Sequence, residues 1–172
     1  MSYRDQFMSL GMQCVQQISL LKVWERLRGK QELPLFEALV PDDVSRAIDK
    51  LSFSEVVHTE DGCRFRIIRN GAQFDRMYSD RRIGRFLDEV LPQVFKDQAL
   101  SLHNQVVVSR QPSFSFSALR KDDGPLIRYE RLLLPFTCNG DEVERIVTAI
   151  TLFTEENGFD PNDVLTGKLV DP

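Results

Sequence analysis

The sequence is poor in the residues that build metal centres and disulfide frameworks. Its 172 residues include three cysteines and two histidines. His58 and His103 have no cysteine or histidine three or four positions away, so a structural metal site is not expected. The cysteines, at Cys14, Cys63 and Cys138, are isolated and odd in number, which argues against disulfides and is typical of a reducing cytoplasm. We predict that all three are buried or half-buried small apolar side chains.

Long apolar runs and excess positive charge are also missing. The longest apolar runs, such as the leucines at 132–134, are far too short to span a bilayer. Residues 1–7 lack the basic and then apolar plan of a signal peptide. A net charge of −4 and a pI near 5.3 give no positive field that would attract nucleic acid or an anionic membrane. We therefore expect a cytoplasmic protein with no nucleic-acid partner and no membrane insertion.

Motifs of catalysis are absent as well. There is no G-x-S-x-G nucleophile elbow and no glycine-rich phosphate loop. Adjacent carboxylates occur at 42–43, 122–123 and 155–156, all at predicted turns or helix starts, where they cap and solubilise. Ser113, Ser115 and Ser117 alternate with apolar residues, as on the solvent face of a strand. An enzyme is therefore not expected.

The remaining composition is that of an ordinary globular domain, with 42% hydrophobic and 28% charged residues. Near the N-terminus, Leu20, Trp24 and Leu27 recur at helical spacing, and Gly29 supplies the usual helix stop after an arginine. A second helical stretch begins near Pro41 and runs to position 51. The first third of the chain is thus predicted to be helical.

The pattern then changes to strands. Residues 53–59 and 63–67 are separated by an acidic and glycine-containing turn at 60–62, which predicts a hairpin. Short helical signals follow over 72–92, including one or two turns at 74–78. Residues 94–108 form a clear amphipathic helix with Phe95, Ala99, Leu102 and Val106 on one face, and 110–112 close it.

The last third is predicted to form three strands, at 113–118, 126–136 and 145–153, with turns at 122–125 and 139–141. Connections this short predict an antiparallel meander. A strand pair and a strand triplet with helices between them imply one antiparallel sheet with helices packed on one face, which is the α+β fold class.

This order of elements resembles that of PAS domains. Residues 82–92, R-I-G-R-F-L-D-E-V-L-P, resemble the stretch that leads into the long helix of many PAS domains. Residues 127–135, I-R-Y-E-R-L-L-L-P, are similar to the signature of a stand-alone PAS subfamily found largely in alphaproteobacteria. That subfamily also has an N-terminal helix with a tryptophan and an Arg-Gly ending, as at Trp24 and 28–29. The resemblance covers about 20–153.

The resemblance implies a bacterial protein with a PAS-like five-stranded antiparallel sheet. Residues 1–30 would be an N-terminal helical extension, 31–154 the PAS-like domain and 155–172 a loose C-terminal tail. It also implies a cavity between the long helix and the sheet. The sequence does not decide which face of each strand lines this cavity. The pocket candidates are Phe95, Ala99, Leu102, His103, Val106, Phe114, Phe116 and Tyr129. The alternative is that these side chains fill the space.

No cofactor is expected, although two readings of His103 stay open. Some PAS domains carry a haem-ligating histidine on this helix, so haem is one hypothesis. A partly exposed or hydrogen-bonded histidine on the helix face is the other.

Arginines are the one unusual cluster. Guanidinium forks bind phosphates and carboxylates bidentately, so Arg64, Arg66, Arg128 and Arg131 are anion-binding candidates. One alternative is a solvated surface on which arginines pair with the 26 acidic residues. Internal pairing across the sheet at 128–131 is another.

The functional expectation is a sensory or regulatory module without catalytic activity. It would act through association with another signalling protein or with itself, as a homodimer, with or without a small ligand. The helix that carries Leu20, Trp24 and Leu27 is the predicted dimer contact. A dedicated receptor for an anionic messenger or an apolar ligand is the alternative.

Overall fold

The structure is a computed structural model that describes residues 2–77, 82–120, 126–154 and 168–170. The helices are α1 Tyr3–Ser9, α2 Val15–Arg28, α3 Pro41–Val44, α4 Ala72–Met77, α5 Leu87–Val90 and α6 Gln93–Ser109, with short 3₁₀ helices at Phe36–Ala38 and Ile48–Lys50. The strands are β1 Leu51–Thr59, β2 Gly62–Asn70, β3 Ser113–Arg120, β4 Ile127–Phe136, β5 Arg145–Thr154 and β6 Lys168–Val170.

All six strands form one antiparallel sheet in the order β2-β1-β5-β4-β3-β6. The β1–β2 hairpin and the β3–β4–β5 meander meet where β1 pairs with β5. The predicted α+β class and the five-stranded antiparallel sheet are confirmed. The predicted long helix is confirmed too, and it extends by one residue at each end.

The prediction that the helices pack on one face of the sheet is wrong, because helices cover both faces. Leu132 and Leu134 of β4 pack in one apolar cluster with α1 and α2, while Leu133 between them packs in another with α5 and α6. Side chains alternate along a strand, so a strand between two layers must be apolar at successive positions. Every residue of β4 except Arg128 is buried. We call the side toward α1 and α2 the N-terminal face and the side toward α4, α5 and α6 the cavity face.

The N-terminal helix α2 belongs to the core of its own chain. Trp24 and Leu20 are buried, and the Trp24 Nε1–H donates to the Pro135 carbonyl oxygen at 2.6 Å. Leu27 is partly buried and packs against the same cluster. This corrects the predicted dimer contact. The apolar spacing marks a buried helix face, but the surface that buries it is the sheet of the same chain.

Two further expectations need revision. The helical stretch predicted to start near Pro41 is broken into α3 and a 3₁₀ helix, and its last position, Leu51, already begins β1. Within the predicted loose tail, Lys168–Val170 forms β6 and pairs with β3. The predicted turn at 122–125, the rest of the tail and Tyr78, where the predicted helical turn ends, lie outside the described residues. None of the described helices is long and apolar enough to cross a membrane.

Candidate functional site

A partly open cavity of about 80 Å³ lies between α4, α5, α6 and the cavity face of the sheet. Its apolar lining is Ile67, Phe74, Leu87, Val90, Leu91, Phe95, Ala99, Ile150 and Leu152. Its polar lining is Ser52, Ser54, Asn70, His103, Tyr129, Arg131 and Thr148. The cavity is therefore mainly apolar with a few polar groups, as small-molecule sites usually are.

Arg131 brings a positive charge to this cavity. It lies in the middle of β4, it is only 4% exposed, and it lines the cavity wall. One terminal nitrogen donates to the Tyr129 hydroxyl at 3.2 Å, and the guanidinium carbon lies 5.3 Å from the centre of that ring. The Tyr129 hydroxyl in turn donates to the Gln98 side-chain oxygen at 3.3 Å. A cation–π contact and a hydrogen bond thus orient the guanidinium.

His103 projects from α6 into the same cavity and is 4% exposed. Burial is the main cause that lowers its pKa from 6.5 to about 4; the charge of Arg131 lowers it further, and the contact with Ala99 opposes both. The imidazole is therefore neutral near pH 7. Its Nδ1–H donates to the Ala99 carbonyl oxygen at 2.7 Å, so its Nε2 is the acceptor for the Thr148 hydroxyl at 3.4 Å.

Four of the eight pocket candidates meet at this cavity: Phe95, Ala99, His103 and Tyr129. The other four do not line it. Leu102 and Val106 pack in the neighbouring cluster around Phe65. Phe114 and Phe116 lie on the opposite side of β3, where Phe114 packs against Phe7 with ring centroids 5.8 Å apart.

The error over β3 has one cause. The alternation of phenylalanines and serines does not decide which face of β3 they occupy, and the second helical layer draws the phenylalanines to the N-terminal face. Ser117 is accordingly 8% exposed rather than on a solvent face, and it accepts a hydrogen bond from the Gln98 amide at 3.2 Å. The serines of this strand thus lie on the cavity face of the sheet.

The four anion-binding candidates are not brought together. On β2, Arg64 pairs with Asp88 and Glu89 at 2.8 and 2.9 Å, and Arg66 pairs with Glu55 across the hairpin.

Arg128 stacks over the Phe116 ring at 4.5 Å on the N-terminal face. Of the four candidates, only Arg131 lines the cavity.

The R-Y-E-R segment divides its side chains between the two faces. Tyr129 and Arg131 line the cavity, and Glu130 points to the N-terminal face, where it is fully buried. Its carboxylate accepts the backbone N–H groups of Gln13 and Cys14, at 3.3 and 3.2 Å, at the start of α2. A carboxylate there satisfies unpaired N–H groups and complements the helix dipole. Sequence reasoning missed this role, although a glutamate inside an apolar strand was a usable signal.

The haem hypothesis is not supported by the cavity. Both nitrogens of His103 are engaged, by Ala99 and Thr148. A volume of about 80 Å³ is roughly half that of an engineered cavity that holds benzene. A macrocycle does not fit this arrangement. In the part of the chain that the structure describes, no three His, Cys, Asp or Glu side chains gather into a possible metal site.

The solved structures that are similar to this chain include the following two. One is an RNA-binding light-oxygen-voltage receptor, with 15% identity and a TM-score of 0.43 over 67% of this chain and 33% of the receptor. The other is a PAS domain from Colwellia psychrerythraea, with 14% identity and a TM-score of 0.42 over 67% of this chain and 98% of that domain. This chain thus spans about a third of the receptor's length. No family model and no curated protein matches.

Both of these structures are of the type that the resemblance in the sequence implied. At TM-scores of 0.43 and 0.42, neither similarity decides any functional property of this chain. The assignment to the subfamily with the R-Y-E-R-L-L-L-P signature stays a prediction. What the fold and the site define is an α+β protein whose sheet carries a mainly apolar cavity with a buried arginine in its wall.

Proposed function

We propose that this chain is a sensory module that binds a small carboxylate in the cavity between α6 and the sheet. The single observation that carries the proposal is the buried guanidinium of Arg131 in the cavity wall. A planar guanidinium matches the two oxygens of a carboxylate, and this match is stronger in a dry site than at a surface.

The volume and lining of the cavity restrict the ligand further. About 80 Å³ encloses roughly half of a benzene-sized ligand, and because the cavity is partly open, the rest of a ligand of up to about six non-hydrogen atoms extends through its open side. The side chains opposite Arg131, among them Leu87, Val90 and Phe74, are apolar. His103 is neutral near pH 7 and adds no second positive charge. These features favour a short-chain monocarboxylate over a multiply charged messenger.

The route from ligand to output would run through β4. Tyr129 and Arg131 face the cavity, while Glu130 between them holds the start of α2. A ligand that shifts the Arg131 backbone therefore also acts on the anchor of the N-terminal helices. Association with a partner protein or a second copy remains the predicted output, with a contact other than the buried stripe of α2.

Calorimetric titration with butyrate and with 1-butanol tests the proposal, because the two ligands match in chain length and differ in charge. We expect the parent protein to bind butyrate at least about tenfold more tightly than the alcohol, and Arg131→Met to lose that preference. Arg46→Met, which removes an exposed arginine, should behave like the parent.

Tyr129→Phe provides a milder perturbation that keeps the ring and the charge. It should weaken butyrate several-fold, because the hydroxyl that orients Arg131 is removed. Equal binding of acid and alcohol by the parent, or an unchanged preference in Arg131→Met, would contradict the proposal.

A further inference from the structure

A second cavity, of about 110 Å³, lies at the C-terminal ends of α2 and α6, away from the site described above. It is lined by Tyr3, Arg28, Glu32, Ser109, Arg110 and Gln111. Arg28 is the last residue of α2, and Arg110 follows the last residue of α6. The two helices cover opposite faces of the sheet, so this cavity joins both layers.

Each of the two arginines in this lining has one buried nitrogen. The Nε atoms of Arg28 and Arg110 are both buried, and within the described residues neither has a hydrogen-bond acceptor. The Arg28 guanidinium is fixed by the aromatic rings of Tyr3 and Trp24, 5.8 and 5.4 Å from its central carbon. Buried donors are normally paired, so each guanidinium retains capacity for a further acceptor.

The backbone conformation of Arg110 also supports a ligand site at this cavity. It is the one non-glycine residue with a positive φ, 59°, in the part of the chain that the structure describes. Glycine is the usual residue at such a helix end, because a Cβ disfavours the left-handed conformation. Strained backbone of this kind clusters at ligand sites. Here it places an arginine side chain where glycine would terminate the helix more easily.

Glu32 occupies part of the space as an internal competitor. Its carboxylate lies 3.2 Å from a terminal nitrogen of Arg110, and its side chain is 76% exposed. An exposed pair of this kind is weak and can exchange for a better acceptor. A carboxylate matches only one guanidinium fork, whereas a phosphate has enough oxygens for two forks from different elements.

We propose that Arg28 and Arg110 form an oxyanion site for a phosphate group, with Glu32 as the side chain that the phosphate displaces. Helix C-termini carry partial negative charge, so the electrostatic attraction for a phosphate must come from the two guanidiniums. The hydroxyl of Ser109 and the amide of Gln111, at the same rim, add neutral hydrogen-bond donors.

The test is calorimetric titration of the full chain with inorganic phosphate and with adenosine monophosphate at constant ionic strength. We expect saturable binding, weakened about tenfold or more in Arg28→Gln and in Arg110→Gly. Arg110→Gly should fold at least as well as the parent in thermal unfolding, because glycine relieves the positive φ. Glu32→Gln should tighten binding about two- to fivefold.

Arg46→Gln is the matched control, since it removes the same charge from an exposed position. It should change the dissociation constant by less than about twofold, as expected for an exposed charge outside the cavity lining. Equal affinity for both probes identifies phosphate alone as the ligand, and tighter binding of the nucleotide identifies a phosphate ester. Absence of binding at millimolar phosphate, equal losses in Arg46→Gln and Arg110→Gly, or loss of binding only in Arg131→Met would overturn the site.

Discussion

Lowering the pH should destabilise this protein through His103. The buried imidazole has its pKa lowered from 6.5 to about 4 in the folded chain. The imidazole in the unfolded chain is therefore protonated near pH 6.5, whereas in the folded chain it is protonated only near pH 4. The contribution of neutral His103 to the free energy of unfolding is fully present above pH 6.5 and is lost as the pH falls toward 4.

The magnitude follows from that difference in pKa. The whole step from 6.5 to about 4 corresponds to about 3 kcal/mol of unfolding free energy, at about 1.4 kcal/mol per pH unit. At about pH 5 the unfolded imidazole is almost fully charged and the folded one is mostly neutral, so about 2 kcal/mol should be lost relative to about pH 7.5. That is a large share of the stability of an ordinary domain.

Urea unfolding at the two pH values measures this loss. His103→Gln is the matched variant, because its amide can still donate to the Ala99 carbonyl but carries no proton that titrates. It should be less stable than the parent near pH 7.5 and should change little on acidification. His58→Gln controls for the other histidine and should keep the parent's pH response. An equal loss in the parent and in His103→Gln would refute the reasoning.

Two further predictions concern the N-terminal layer. Trp24→Ala should cost about 3–5 kcal/mol of unfolding free energy, measured by urea unfolding, and Trp24→Glu should fail to fold, because the indole is fully buried and bonded to Pro135. A folded Trp24→Glu chain with half the mass of the parent in light scattering would instead support the hypothesis that α2 forms a dimer contact. Glu130→Gln should cost about 1–3 kcal/mol and increase hydrogen exchange at the start of α2, because one amide oxygen replaces a carboxylate that serves two N–H groups. Unchanged exchange at Gln13 and Cys14 would show that this carboxylate does not anchor the helix.

Local patterns predicted most of the elements and failed on which face a strand buries. The long helix and the β1–β2 hairpin follow from periodicity and turn residues, which are properties of neighbours in sequence. The faces of β3 depend on what covers the sheet. Phe114 alternates with Ser115 whether one face or both are covered, so spacing alone cannot tell which layer the phenylalanine enters.

The candidate site was predicted mainly on the helix side, with Tyr129 as the one correct pocket candidate on the sheet side. Phe95, Ala99 and His103 share a face of α6, and that follows from a period of 3.6 residues. Arg131 was one of several arginines without a distinguishing signal, because its burial results from pairing of β4 with both β3 and β5. The positive φ of Arg110 leaves no trace in sequence, since glycine is the residue that normally marks such a position.

The central claim is that the cavity beside Arg131 is the ligand site. Methyl NMR with selective labelling tests it most directly during titration with butyrate. The account predicts that Leu87, Val90 and Ile150, which line the cavity, shift and show contacts to the ligand. Leu134 and Val147, on the N-terminal face, should report no direct contact. Contacts confined to those two residues, or no shift in the cavity methyls at saturating butyrate, would contradict it.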